Sequence, residues 1–411
     1  MKTNYEVGPI IRALRRKKTS VILITLQIAI TLAVVVNALF IINDRVEKIS
    51  MPIGSDTENI FNLNVVSLSE GLNHPDMMRE DLRVIRSISG VENAIAPINY
   101  LQSGSTRYEF YRAKQKKVRG SSIFTNVNFS DEHGLEALGV SLLAGRFFQP
   151  QEVGFMKGNF DGIPNVVVVT QALGRKLFPE GNIVGRSIYW NDTTPIEIIG
   201  VISNVATGWL ANGGSFLADT KYNLMLHPFA TYHESANYLV RAKPGMLSSI
   251  MPEVEKALMA SDSNRLLRRV QTQEEVLRLT FANDYATLII LIVVVVLMLL
   301  ITGLGIVGLA AYSVKQRTRQ IGTRRAMGAR KKDILRHFVV ENLILTTMGV
   351  IIGIILTYAL NYFLSSQFGG ERLDANYLPA GIGILYLLGL VAVYFPAYKA
   401  ASISPAIATR A

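Results

Sequence analysis

The sequence predicts an α-helical membrane protein with four transmembrane helices plus an extracytoplasmic α+β domain of two lobes. Three observations carry that expectation. Four intervals, 19–43, 285–314, 342–370 and 375–398, contain no charged residue, and each is longer than the roughly 20 residues needed to cross hydrocarbon. Residues 44–271 have ordinary soluble composition and are long enough to bury a core of their own. The 42 Lys and Arg against 31 Asp and Glu, for a net charge of +11, cluster beside the apolar runs. Orientation in a membrane explains that excess better than nucleic-acid binding does.

In residues 1–18, Arg12, Arg15, Arg16, Lys17 and Lys18 precede the first run, while Ile10, Ile11 and Leu14 share a helical face. This composition suits an amphipathic segment lying along the inner membrane surface. The run 19–43 exceeds the apolar core of a signal peptide and no small-x-small site follows it. It reads as an uncleaved first span with its N-terminus inside. Beyond it, Phe61, Leu63 and Val65 alternate as in a half-buried strand, and Leu82, Ile85 and Ile88 space a helix that ends at Gly90. Val166 to Val169 reads as a strand, followed by a helix through Lys176 with Thr170 as N-cap and Pro179 as its stop. Ile196 to Val201 reads as another strand. Boundaries near Ser121–Ser130 and Gly208–Gly214 predict that the first half and the tail of this region form one lobe, with the middle inserted as a second.

Thr272 and Glu275 form a capping box. No proline follows until Pro379, so one helix is expected from Gln273 to about Tyr312, roughly 60 Å long. Residues 272–314 are therefore a stalk continuous with the second span. Residues 342–370 form the third span, 371–374 a short external loop with Glu371, Arg372 and Asp374, and 375–398 the fourth. Residues 399–411 are a cytoplasmic tail carrying Lys399 and Arg410. Between spans two and three, the loop 315–341 holds nine Lys or Arg from Lys315 to His337 against a single acid, Asp333. Such a loop stays on the cytoplasmic side. Ile321, Ala326, Met327, Ile334, Leu335 and Phe338 interleave the cations, and Gly322 and Gly328 divide the run into short helical pieces. A compact element docking into a groove on a cytoplasmic partner fits this mixture, and so does a solvated anchor.

Several chemistries are disfavoured. Gly303, Gly305 and Gly308 match G-x-G-x-x-G but lie inside an apolar span, which points to close helix packing, not dinucleotide binding. Gly349 and Gly353 suit a small-residue helix contact, within the chain or between copies. No phosphate-cradling G-x-x-x-x-G-K-[ST] is present, so ATP hydrolysis is expected in a partner. His74, His133, His227, His233 and His337 form no H-E-x-x-H, and His227 and His233, six apart on an expected loop, read as surface histidines and not metal ligands. The chain has no cysteine, hence neither disulfide nor thiolate metal site. Spans without charge argue against ion-driven transport. Energy would have to come from a partner at the basic loop, and no enzyme active site is indicated.

Three motifs resemble those of MacB/FtsX-like ABC transporter permeases, the type VII group. Residues 317–329, RTRQIGTRRAMGA, resemble R-x-x-E-I-G-x-x-x-A-x-G-A; residues 396–405, PAYKAASISP, resemble the closing P-A-x-x-A-A-x-x-x-P. Residues 138–148, LGVSLLAGRFF, resemble the L-G-x-x-L-x-x-G-R-x-F of the MacB-like periplasmic core domain. Gln320 stands where the family carries Glu, and Thr409 where Ala-Leu-Arg would place Leu; both fit one half of a heterodimer whose other permease keeps the Glu. The resemblance implies a non-catalytic, multi-pass permease of the bacterial inner membrane, with both termini cytoplasmic. It implies a dimer, with a second copy or a paralogue, around a cytoplasmic ABC ATPase dimer that binds ATP and Mg. A membrane-fusion protein and membrane lipid are further expected partners, nucleic acid is not, and no cofactor is expected in this chain. The ATPase contact would comprise Arg317, Gln320, Ile321, Gly322, Arg325, Ala326, Met327, Gly328 and Ala329. The expected activity is export of a peptide, antibiotic or lipid-linked substrate by mechanotransmission. A lipoprotein-releasing permease and an FtsX-type scaffold activating an external cell-wall hydrolase are the alternatives. Replacing Ile321 or Met327 by Asp is expected to uncouple transport without unfolding the protein.

Overall fold

The computed structural model describes residues 18–68, 74–102, 107–111, 122–156, 165–189, 195–208, 220–231, 235–368 and 372–402. The amphipathic segment expected over 1–18 lies outside these but for Lys18, as do the tail beyond Ser402, most of Gly208–Gly214, His233 and Glu371. The chain divides into two units, one formed by Met1–Ile49 with Asp284–Ala411 and the other by Ser50–Asn283.

Helix α1 (Lys18–Ile49) opens the first unit and buries Ile24, Ile28, Leu32 and Val36, a stripe at i, i+4 spacing. The α+β unit then runs through β1 (Ile60–Ser67), α2 (His74–Ser87), β2 (Val91–Ile95), β3 (Arg107–Tyr111) and β4 (Ser122–Phe129). It continues with α3 (Gly134–Leu138), β5 (Leu142–Gly145), β6 (Gly154–Met156), β7 (Val166–Thr170), α4 (Gln171–Leu177), β8 (Ser187–Tyr189) and β9 (Pro195–Ile202). Its last elements are β10 (Leu224–His227), β11 (Phe229–Thr231), β12 (Ser235–Ala242), α5 (Leu247–Ser261), β13 (Arg265–Thr272) and α6 (Gln273–Thr280). Helices α7 (Ala282–Gln316), α8 (Thr318–Ala326), α9 (Lys331–Phe368) and α10 (Tyr377–Ala401) are the last elements among the described residues.

In the α+β unit, β13, β1, β12 and β2 form an antiparallel four-stranded sheet. The alternation read from β1 puts Phe61, Leu63 and Val65 on one face, against α2 (Met78, Leu82, Ile85) and α5 (Ile250, Val254, Leu258). On its other face, Ile60, Ile95 and Leu239 join Leu138, Val168, Ile199 and Leu226 in one apolar cluster shared with the second sheet. That sheet has seven strands in the order β5-β9-β7-β10-β4-β3-β8, and β8 also pairs with β9, so the sheet curls back on itself. The apolar run 166–169 becomes β7, paired in parallel with β9 across α4.

Three local readings are corrected. The stretch 121–130, expected to be a boundary, holds β4, paired on both edges with β3 and β10; Thr125, Asn126 and Asn128 are buried and not solvated in a loop, and the Thr125 and Asn128 side chains are hydrogen-bonded. Thr170 precedes α4 but does not cap it. Its hydroxyl donates to the Tyr222 carbonyl at 2.5 Å, and Asn204 Oδ1 accepts from the Ala172 N–H at 2.8 Å instead. The single helix expected from Gln273 to Tyr312 is broken at Phe281 (φ −93°, ψ 7°), between α6 and α7. Neither glycine nor proline marks that break; Phe281 leaves helical geometry as its ring enters the core. The Thr272 capping box does form, through Glu275.

The other unit contains four helices long and apolar enough to cross a membrane: Lys18–Ile49, Ala282–Gln316, Lys331–Gln367 and Tyr377–Ala401. Added Cβ atoms at Gly349 and Gly353 would lie 2.6 Å from Ile28 Cγ2 and 2.9 Å from Leu32 Cδ2, so these α9 glycines serve an intrachain contact with α1. Gly381 does the same for α10 against Val36. Gly303 and Gly305 sit close to Leu388 and Gln27, whereas Gly308 has open space. Polar side chains bond between helices: Gln27 to the Ile301 carbonyl (3.0 Å), Thr31 to Thr302 (2.7 Å) and Asn37 to the Thr357 carbonyl (3.1 Å).

His227, expected at the surface, is buried at the end of β10 and stacked on Phe229. Desolvation lowers its pKa from 6.5 to about 4. The unfolded chain therefore takes up the proton first as pH falls, and stability drops between pH 6.5 and 4. Over that interval the loss attributable to this residue is about 3 kcal/mol. Chemical unfolding at pH 7 and pH 4.5 should show a smaller acid loss in His227→Leu than in the native chain.

Candidate functional site

The basic loop folds as a helix, a glycine turn and the start of a second helix. Helix α8 follows α7 after one non-helical residue, Arg317 (φ −105°, ψ 7°). It closes at Gly328, whose φ of +96° is the left-handed geometry that favours glycine after a helix. The Gly328 and Ala329 N–H groups donate to Arg325 and Arg324 carbonyls at 3.1 and 3.0 Å. Asp333 then starts α9: its carboxylate accepts from the Arg330 N–H at 3.0 Å, and its charge suits a helix N-terminus.

The motif residues divide between two faces. Ile321 and Gly322 are buried, and Ile321 packs with Ile306 of α7, Ile334 and Phe338 of α9, and Ala397, Ala400 and Ala401 of α10. Arg317 is also turned inward. Its guanidinium forks onto Glu341 of α9, Nη1 to Oε2 at 2.9 Å and Nη2 to Oε1 at 3.3 Å, with the Glu341 side chain only 8% exposed. Arg325 is half-buried, its Nε buried without a hydrogen-bond partner among the described residues, and Ala329 is half-buried too. Gln320, Ala326, Met327 and Gly328 are exposed, Met327 at 76%. The structure thus brings Gln320, Ala326, Met327 and Gly328 together as a surface and uses Arg317, Ile321 and Gly322 to seat α8 on the membrane helices.

Glu341 was missed because it lies 24 residues from Arg317 and directly precedes an uncharged run, where it reads as the end of a polar loop. Asp284, Arg45 and Lys48 were missed for the same reason, each standing at the polar edge of a span. Among the described residues no cluster of His, Asp or Glu could hold a metal ion.

Ile321→Asp would place an unpaired carboxylate among apolar side chains, so it tests packing before any partner contact. Breaking one member of a buried ion pair costs about 3–5 kcal/mol. Arg317→Met should therefore lower unfolding stability in detergent by that order, and adding Glu341→Leu should recover most of the loss.

The MacB-like periplasmic core domain model matches residues 21–257, and the FtsX-like permease C-terminal model matches residues 292–405. The macrolide export ATP-binding/permease protein MacB of Chromobacterium violaceum is 26% identical over 270 residues, which are 65% of this chain and 40% of that protein. The chain thus spans less than half of that relative's length. The ABC transporter permease YknZ of Bacillus subtilis is 26% identical over 369 residues, 89% of this chain and 85% of that one. Among solved structures, the periplasmic region of MacB from Actinobacillus actinomycetemcomitans is similar to 56% of this chain and 95% of its own, at 14% identity and a TM-score of 0.34. With both domain models matched in order along most of its length, the chain belongs to the MacB/FtsX-like family of ABC transporter permeases.

Proposed function

We propose that this permease is a non-catalytic subunit that passes mechanical work from a separate cytoplasmic ABC ATPase to its α+β unit. The observation that carries the reading is the two-faced helix α8. One face, through Ile321 and the Arg317–Glu341 pair, is fixed to the ends of α7, α9 and α10. The other presents Gln320, Ala326, Met327 and Gly328 to solvent. A partner gripping the exposed face would move the helix ends as a body, because packed interiors transmit displacement instead of absorbing it.

Further features support the reading. The sequence has no phosphate-binding loop, whereas the Chromobacterium relative carries ATP-binding and permease parts in its name. Among the described residues, Asp, Glu, Lys and Arg in the four candidate spans are confined to their end portions, so no ion-relay residue lies at mid-membrane. The charge distribution and the periplasmic-core match support an inner-membrane orientation with both termini cytoplasmic and residues 50–283 outside, arranged as two lobes around the two larger of their sheets. The working assembly would be a dimer of permeases, homo- or heteromeric, on an ATPase dimer, with ATP and Mg held by the ATPase. A membrane-fusion protein is a further candidate partner, and the substrate would be a peptide, antibiotic or lipid-linked molecule.

The test uses the tagged chain purified from its own cells, with co-purifying proteins identified by mass spectrometry. An ABC ATPase should be present, and Met327→Asp should abolish its co-purification while leaving the permease's unfolding temperature unchanged. Retention of the ATPase by Met327→Asp would refute the contact, and absence of any ATPase from the native preparation would refute the function.

A further inference from the structure

At the opposite ends of the same helices lies a second charge cluster that neither the sequence motifs nor the family match assigns. Asp284, in the first turn of α7, is 6% exposed, and cations from the last turns of α1 take both its carboxylate oxygens. Arg45 Nη1 lies 3.0 Å from Oδ1, and Lys48 Nζ lies 2.8 Å from Oδ2. Arg45 also stands 3.8 Å from the exposed Asp44, and its Nε is buried without a hydrogen-bond partner among the described residues.

The location gives the cluster its meaning. The chain passes between its two units at Ile49–Ser50 and again at Asn283–Asp284. The triad joins those two crossings, 239 residues apart in sequence. Each charge also opposes the dipole of its own helix end, an acid at an N-terminus and bases near a C-terminus. An exposed ion pair at such a place would hold little. A carboxylate this buried behaves differently, because removing its cations strands a charge that solvent cannot reach.

We infer that Asp284 is a positioning residue that clamps the outer ends of α1 and α7, so that both connections to the α+β unit move as one body. Its consequence for transport rests on the mechanical reading above; the clamp itself does not. Since α6 and α7 are separate helices, one continuous rod does not carry motion along the return connection. Clamping α7 to α1 compensates, tying the interrupted connection to the helix that is continuous through Ile49.

The chain contains no cysteine, so spin labels on Val46→Cys and Ala286→Cys, both exposed positions, are the only ones present. Pulsed electron resonance on the full chain in nanodiscs should give one narrow distance distribution with native Asp284. Asp284→Asn should lose that narrow peak, and Lys48→Ala, which leaves Arg45 in place, should broaden it less. Reversing all three charges, Arg45→Asp, Lys48→Asp and Asp284→Lys, should restore it, which a merely space-filling role would not predict. An unchanged peak in Asp284→Asn would overturn the clamp. A reversed protein that folds but stays broad would also overturn it. Should the reversed protein fail to fold, the comparison of Asp284→Asn with Lys48→Ala decides, and equal widths would overturn the clamp. The mechanical reading is judged separately, by whether ATP and vanadate added to the complex with its co-purified ATPase change distances in the native protein.

Discussion

Hydrocarbon offers no hydrogen-bond partner, and that constraint organises the membrane unit from the middle outward. Polar side chains in the spans gain by bonding to neighbouring helices, as Gln27, Thr31 and Asn37 of α1 do. Close approach follows from Gly349, Gly353 and Gly381, each facing a bulky α1 side chain. Charge is then expelled to the two ends, where it reappears as paired ions: Arg317 with Glu341 and Asp284 with Arg45 and Lys48. A bundle pinned at both ends and close-packed between them is suited to moving as a whole.

The α+β unit solves a different problem, that of fixing its C-terminal exit. Asn62, Gln102 and Gln273 are all fully buried and bonded in series, Asn62 to Gln273 and Gln273 to Gln102, which donates to the Ala206 carbonyl. Thr280 adds a bond to the Gln102 carbonyl at 3.1 Å. Helix α6 is thereby tied to β1 and to the segment preceding β10. Elsewhere in the unit, Asp81 holds Tyr238 and Arg265 in the core, with burial pushing its carboxyl above the usual range. Each such network is costly if half-satisfied, which makes the packing around it specific.

The candidate site shows how one short motif serves two masters. Its apolar and charged members at Ile321 and Arg317 face inward, its small and flexible members face outward, and Gly328 supplies the turn that separates α8 from α9. Gln320 lies on the exposed side, so a change of charge there acts on a surface and not on the packing beneath α8.

Apolar length, charge clustering and period-two alternation were enough for the sequence alone to determine the four spans, the intervening α+β region, β1, β7 and the capping box at Thr272, because these signals are local and repeat over many residues. The loop was legible as a helix–glycine–helix, but not which of its residues faced inward. Contacts between distant segments decided the rest: Glu341 as the partner of Arg317, Asp284 as the partner of Arg45 and Lys48, Asn204 as the cap of α4, and the burial of His227 and Asn62. A polar residue at the edge of an apolar run, or on the second face of a strand, looks solvated until the fold brings another element against it. Only the tertiary structure supplies that neighbour, and with it the break at Phe281, a buried aromatic residue that no local helix-stop signal marks.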